Sequence, residues 1–230
     1  MKNSNYKTRT SDVIINWGHS GDKWRDWRLS HIINHPVNVA TASNKLKFLR
    51  QMDCIVSIPD FTTDPQEAYD WQHVHGDTVV ARTTLTGHAG EGIVICAPQD
   101  DLPEAPLYTK LINTKDEFRV HVVGGEAVEV RHKKRRKSIE EADANYHVRS
   151  YDNGWAFNKK MPYEISSSIA KEAVLAVKAC GLDFGAVDVV WDGKYPYVLE
   201  VNTAPGLTGS TTELYANALY AMAKEIINGA

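Results

Sequence analysis

Two short runs near the C-terminal end carry the clearest pattern in the chain. Residues 186–191 (AVDVVW) and 197–201 (YVLEV) are rich in Val, Tyr and Trp, and the segment between them, DGKYP (192–196), is made of turn-forming residues. Together they predict a β-hairpin. A five-residue loop sets Trp191 opposite Tyr197 and, continued along the ladder, Asp188 opposite Glu200. Side chains alternate faces along a strand, so Glu200 and Asn202 share one face while Leu199 and Val201 join Val187, Val189 and Trp191 on the other. A shift of one residue in register would break the acidic pair.

The same kind of reading extends upstream. DVIINWGHSG (12–21) predicts one strand ending in a glycine-rich turn, and His31 and His35 in the next segment read as packed or surface side chains, not ligands. Ser43 is the N-cap candidate for a helix carrying Leu46, Leu49 and Met52, which puts Lys45 in its first turn. Asp64-Pro65 opens a second helix and Gly76 closes it. Strands at 78–81 and 93–96 flank a loop bearing Gly87, Gly90 and Gly92. Further strands are expected at 107–112, 118–123 and, after a GGE turn, 127–132, with Glu117 and Arg119 on one face. A turn is expected at Asn153-Gly154. Ile165, Ile169, Ala173 and Val177 recur every fourth residue in an amphipathic helix ending at Gly181. A capping box, Ser210 to Glu213, starts a last helix expected to bury Leu214, Leu219, Met222 and Ile226.

Composition adds bounds. A chain of 230 residues with 43% hydrophobic and 24% charged positions fits one globular unit, with length enough for two lobes. The net charge of −3 argues against a nucleic-acid or membrane-surface partner. No run is apolar enough to span a membrane and the polar start lacks a signal-peptide core, so the expected location is the cytoplasm. Cys54, Cys96 and Cys180 are widely spaced in apolar contexts and read as buried free thiols.

Candidate chemistry centres on the hairpin. Two carboxylates facing each other need a counter-ion, and an all-oxygen set of Asp188, Glu200 and Asn202 suits Mg²⁺ or Mn²⁺. The competing reading is an acidic hairpin facing solvent. The loop with Gly87, Gly90 and Gly92 lacks the GK[ST] of a P-loop; it is either a flap whose backbone N–H groups fold over phosphates, with Arg82 adding charge, or a hairpin with a flexible tip. The basic run 132–137 (HKKRRK) has three readings: a solvated strand end, a clamp for a phosphate or acidic substrate, or a nucleic-acid patch. No Ser/His/Asp constellation is present.

These parts add up to a resemblance. From about Ser43 to the C-terminus the chain resembles ATP-grasp enzymes of the group that includes ribosomal protein S6 glutamate ligase and glutathione synthetase, particularly the compact ATP-grasp proteins encoded by tailed phages. The most specific part is VDVV (187–190) followed by LEVNTAPGLTG (199–209), which matches the family's D…E-x-N metal motif and Pro-Gly loop. The order of parts also agrees: an N-K-L helix, a glycine flap, a hinge strand, EFRVHV, then the metal hairpin.

The resemblance implies an α+β ATP-grasp fold, two α+β lobes clamping ATP, with a reduced N-terminal α/β segment over 1–42, a small lobe with the flap over 43–112 and a large lobe with the metal hairpin over 113–230. It implies Asp188, Glu200 and Asn202 as ligands of Mg²⁺ (or Mn²⁺) on ATP. Lys45 and Arg82 stand at phosphate-contacting positions, where Arg82 departs from the family's lysine. Gly87, Gly90 and Gly92 form the flap; Lys110 and Leu111 match the adenine hinge, where Lys110 replaces an acidic residue; and Glu117 matches the residue near the ribose. Arg119 and Arg149 match the arginines at the terminal phosphate or acyl phosphate, the catalytic pair. The implied activity is ATP-dependent ligation of a carboxylate and an amine through an acyl phosphate. The alternatives are a kinase acting on a hydroxyl, or a nucleotide- or nucleic-acid-binding accessory protein without turnover. Because the family's full N-terminal domain is not matched here, either a peptide or protein terminus brings its own surface as acceptor or a homodimer partner completes the site. For a phage-encoded chain the location would be the host cytoplasm.

Overall fold

The structure, a computed structural model, describes residues 8–21, 31–87, 90–140, 146, 149, 153–158 and 163–229, without the side chains of 163–166. Strands β1 (Val13–Ile15) and β2 (His31–Ile33) pair in parallel. Helices α1 (Pro36–Ser43) and α2 (Lys45–Met52) follow, then β3 (Phe61–Thr62), α3 (Pro65–His73), β4 (Val79–Arg82), β5 (Ile93–Cys96) and β6 (Leu107–Lys110). These four strands form an antiparallel sheet in the order β3-β6-β4-β5. The remaining elements are β7 (Asp116–Val123), β8 (Glu126–Arg135), β9 (Trp155–Asn158), α4 (Tyr163–Ala179), β10 (Phe184–Trp191), β11 (Pro196–Asn202) and α5 (Ser210–Gly229). Their strands form a second antiparallel sheet, β11-β10-β7-β8-β9.

The alternation of β7 and β10 decides what each face of the larger sheet does. Phe118, Val120, Val122, Val187 and Val189 point to one face, where Ile169, Ala173, Ala176 and Val177 of α4 and Val39, Phe48, Leu49 and Met52 of α1 and α2 cover them. Leu107 of the smaller sheet enters the same core, so the two sheets are joined by shared apolar packing. Fully burying each such side chain contributes about 1.5–3 kcal/mol. Trp71 and Ala68 of α3 close a second core on β4 and β6, and Tyr215 and Leu219 of α5 close a third on Ile33, Val123 and Phe184. The polar side chains of β7 and β10 are left for the opposite face of the large sheet.

The hairpin differs from its expected register in an instructive way. Its loop has four residues: Trp191 faces Pro196 and Val190 faces Tyr197. Left alone, that register would separate Asp188 from Glu200. A bulge between Asp188 and Val189 absorbs one residue of β11, so Val189 pairs with Val198 but Asp188 still pairs with Glu200. Val198, not Leu199, therefore joins Val201 in the core.

Other expectations are corrected. Ser43 ends α1, a helix the pattern did not predict, and Asn44 caps α2 by accepting from the Lys47 N–H at 3.0 Å. On α5 the buried positions are Tyr215 and Leu219, with Leu214 exposed and Met222 and Ile226 packed at the margin. Cys54 is exposed, at φ +62°; Cys96 and Cys180 are buried. The basic run falls largely inside β8 instead of following it. The Ile165 side chain and most of 141–152 lie outside the described residues.

Candidate active site

Strand register arranges the polar face of the large sheet as a grid. Glu200, Asp188, Arg119 and Arg131 are successive cross-strand partners over β11, β10, β7 and β8. One row away lie Val190, Glu117, Lys133 and Phe157, and on the other side Asn202, Ala186, His121 and Glu129. The sequence-predicted residues Asp188, Glu200, Asn202, Glu117 and Arg119 are therefore neighbours because the pleat and the bulge put them on one face.

Their contacts alternate in charge. Arg119 donates Nε to Asp188 Oδ1 and Nη2 to Asp188 Oδ2, each at 2.7 Å. Lys45, from the first turn of α2, reaches across to Glu200 Oε2, and Lys133 pairs with Glu117. Asn202 Nδ2 lies 3.1 Å from Glu200 Oε1 and 3.4 Å from Asp188 Oδ2. Burial alone would raise the Asp188 carboxyl, but the charge and hydrogen bonds of Arg119 outweigh it and hold the group below its ordinary value. Glu117 goes the other way: burial raises it despite Lys133. Burial and the neighbouring Arg82 bring Lys45 down to about 8, against the pull of Asp188.

Arg82 stands half-buried at the end of β4, its Nε buried and lacking a hydrogen-bond partner among the described residues. The loop after it is tied to α2, since the Lys45 N–H donates to the Leu85 carbonyl at 2.8 Å. Its glycines are required by its own crowding: at Gly92, φ +70°, a Cβ would sit 2.3 Å from Thr84 Cγ2, and at Gly87 one would sit 2.7 Å from the Glu91 carbonyl oxygen. Gly90 has φ +89°.

Three further expected residues, Lys110, Leu111 and Arg149, have partners of their own, and the charge of Arg149 also reaches Glu117. Lys110 pairs with Asp77 at 3.0 Å and Asp60 at 3.5 Å and sits over the Trp71 ring. Its N–H and that of Leu111 are donated to the Asp60 and Thr78 carbonyls, both at 2.9 Å. Arg149 donates to the carbonyls of Tyr146 and Thr114, each at 3.2 Å, and stacks on Trp155.

Sequence reasoning missed Lys133, having treated the basic run as one block, and Arg131, which precedes that run; the period of two across 129–135 was the available signal. It also passed over His121, which is 2% exposed with Nδ1 at 3.1 Å from the Tyr215 hydroxyl. That hydroxyl's hydrogen goes to the Gly185 carbonyl at 3.1 Å, so His121 is the donor in the pair and holds its proton on Nδ1.

Among the described residues no group of three His, Cys, Asp or Glu side chains could hold a metal. Two carboxylates with the Asn202 amide oxygen, which a half-turn of the amide presents, nonetheless form an oxygen donor set suited to Mg²⁺. The unpartnered Arg82 Nε fits an anion such as a nucleotide phosphate.

Comparison with known proteins identifies the fold and the family. "Probable alpha-L-glutamate ligase 2" of Shewanella amazonensis is 28% identical over 194 residues, covering 76% of this chain and 60% of the relative. The chain thus spans about 60% of the length of the curated relatives it matches first. Among solved structures, D-alanine–D-alanine ligase from Bacillus anthracis complexed with ATP superposes with a TM-score of 0.66 at 15% identity, over 93% of this chain and 81% of that one. The RiPP-associated ATP-grasp ligase of Chryseobacterium gregarium, in complex with ADP and a leader and core peptide, gives 0.55 at 21% identity, over 85% and 64%. These likenesses establish the ATP-grasp fold. Residues 73–227 match the RimK-like ATP-grasp domain, and the chain belongs to that family.

Proposed function

We propose that the protein is an ATP-dependent carboxylate–amine ligase that works through an acyl phosphate. The observation that carries this is the convergence of Asp188, Glu200 and Asn202 with Lys45, Arg82 and Arg119 between the two sheets. In this reading residues 43–112, with the glycine flap, and residues 113–230 form the two lobes that hold the nucleotide. Lys45 and Arg82 contact its phosphates, the 110–111 hinge and Glu117 contact the nucleoside, and Arg119 faces the transferred phosphoryl group, with Arg149 supporting from the Thr114 side. Asp188, Glu200 and Asn202 would hold Mg²⁺, which would supply charge neutralisation at the phosphates.

The reaction asks for positioning and charge compensation and needs no nucleophilic side chain. A substrate carboxylate oxygen takes the γ-phosphoryl group and ADP leaves. The amine nitrogen then attacks the acyl carbon, phosphate departs, and the amine gives up a proton. Arg119, paired with Asp188 through two hydrogen bonds of 2.7 Å, would stand beside the transferred phosphoryl group, where its guanidinium compensates charge.

The test is Mg²⁺-dependent ADP release screened over pooled amino acids, peptides and dicarboxylates. Release that requires a carboxylate and an amine together, and that drops at least about 100-fold in Glu200→Gln, supports the ligase. Phosphorylation of a hydroxyl, with no acyl phosphate trapped by hydroxylamine, would make the protein a kinase instead.

A further inference from the structure

Phe157 is a half-buried aromatic residue on β9, the edge strand of the large sheet, and it contributes to none of the three apolar cores of the described residues. Its ring is used by cations instead. The Arg119 guanidinium carbon lies 4.5 Å from the ring centroid and Lys133 Nζ lies 5.0 Å from it. The face of an aromatic ring carries the negative part of its quadrupole, so a cation over it is attracted, most strongly where water is excluded. Both cations are largely withdrawn from water, with side chains 23% exposed for Arg119 and 12% for Lys133.

Register explains how the ring reaches them. Phe157 is the cross-strand partner of Lys133, which in turn faces Glu117, so the ring belongs to the row next to the one that holds Arg119 and leans over β8 to meet it. The Arg119 guanidinium is thereby fixed in two directions. Asp188 takes its Nε and Nη2 edge, each bond at 2.7 Å, and Phe157 takes its face. A carboxylate on one edge still lets the guanidinium plane tilt about that edge; a ring against the face removes the tilt. Nη1, away from the Asp188 edge, makes no hydrogen bond among the described residues and is left to meet an anion. The same strand repeats the arrangement one period along: Trp155 shares a face of β9 with Phe157, and Arg149 sits over its ring at 4.8 Å.

We propose that Phe157 is a positioning residue for the reaction: its ring holds the Arg119 guanidinium in the plane that presents Nη1 to the transferred phosphoryl group. The inference rests on the ligase reading, which places Arg119 at that group. The competing role is cover for a sheet edge, which calls for apolar neighbours; the ring has two cations over it and no place in an apolar core.

The test is the affinity of the full chain for Mg·ATP and for Mg·ADP, each read by displacement of a fluorescent N-methylanthraniloyl nucleotide. Only ATP carries the group that Nη1 meets, so the ratio of the two affinities isolates that contact, and an effect on the nucleoside end through Lys133 and Glu117 cancels. Phe157→Leu, which keeps an apolar side chain without a π face, is expected to lower the ATP-to-ADP affinity ratio about fivefold, whereas Phe157→Tyr, which keeps the face, leaves it within about twofold. Pentafluorophenylalanine at the same position, close in shape but with the charge distribution of the ring reversed, should behave as leucine does. A leucine variant that weakens both nucleotides equally, or a pentafluoro variant that matches the parent, would show a packing role and overturn the proposal. Arg119→Lys separates this inference from the reading beneath it. If it lowers the ratio and the Phe157 variants do not, the ring gives no support and the place of Arg119 stands; if all of them leave the ratio unchanged, Arg119 does not face the phosphoryl group and the proposal falls with that assignment.

Discussion

Arg119 takes both carboxylate oxygens of Asp188 at 2.7 Å, directly across neighbouring antiparallel strands, and Asp188 is only 7% exposed. Such a pair is bidentate and charge-assisted, and its energetic weight appears when one partner is removed, because the other is left as an uncompensated buried charge. Arg119→Ala is expected to lower the unfolding free energy by about 3–5 kcal/mol in a urea titration. Adding Asp188→Asn should recover a large part of the loss, since the charge that lacked a partner is gone. A single variant as stable as the parent would mean that Asp188 has another counter-ion.

Arg119 and Lys45 also predict how the protein responds to chelators. The carboxylates of Asp188 and Glu200 are each already paired with a cation from the chain. EDTA is therefore expected to leave the melting temperature of the nucleotide-free protein within about 1 °C, whereas ATP with Mg²⁺ should raise it and ATP with EDTA should raise it less. Thermal unfolding under the four conditions checks this. A large loss on adding EDTA alone would show a metal needed for the fold itself.

The sequence made the acidic hairpin visible because a period of two fixes which side chains share a face, and that period survives small errors in loop length. Here two such errors cancelled: the loop is one residue shorter than its turn chemistry suggested, and the bulge before Val189 returns Asp188 to Glu200. Bulges leave no mark in hydrophobic patterning, so neither could be read. The N-cap was misplaced for a similar reason, since Ser43 and Asn44 are both capping residues and only the preceding helix, α1, decides between them. Glu117 and Arg119 were legible as a face of one strand; Lys45 meeting Glu200 was not, because it depends on how α2 crosses the sheet.

Asn34 was invisible at the sequence level and is expected to be a keystone. It is fully buried at φ +61°, its Oδ1 accepts from the N–H groups of Asp183 at 2.7 Å and Phe184 at 3.1 Å, and its Nδ2 donates to the Phe184 carbonyl at 2.9 Å. It thereby fixes the entry to β10, the strand that carries Asp188. Truncation leaves buried backbone groups unpaired, each at about 1–3 kcal/mol. Asn34→Ala should cost about 2–5 kcal/mol, and Asn34→Gly, which relieves φ but restores no bond, should be nearly as costly. Chemical denaturation of both variants decides it: full rescue by glycine would mean that backbone strain, not the bonds, dominates.

Gly76, after α3, and Gly92, in the flap, separate conformational from steric demand. Gly76 and Gly92 have similar angles, φ +75° and +70°, but a Cβ at Gly76 meets nothing within 4 Å while one at Gly92 lies 2.3 Å from Thr84 Cγ2. Gly76→Ala should cost only the left-handed backbone, about 1–2 kcal/mol. Gly92→Ala should cost about 1–3 kcal/mol more through overpacking, and Thr84→Ser in the same chain should return part of it. Equal losses at the two sites, measured by urea titration, would show that the 83–92 loop rearranges freely.

His121 gives the stability of the protein a specific acid limb. Burial brings its pKa down to about 4, with Arg119 lowering it further and Glu129 opposing, while the unfolded value is the ordinary 6.5. Between those values the unfolded chain binds a proton that the folded chain refuses, so stability rises with pH through this window and falls as pH drops from about 6.5 towards 4. From pH 7.5 to pH 5 this one group should remove roughly 2 kcal/mol. His121→Leu lacks the titration, and although the variant also forfeits the hydrogen bond to Tyr215 and starts from a lower stability, its own decline over the same interval should be smaller than that of the parent by about that amount. Urea midpoints at pH 7.5 and pH 5 give both declines. If the two proteins lose stability in parallel, His121 takes up a proton in the fold as readily as in the unfolded chain, and burial does not hold its imidazole neutral.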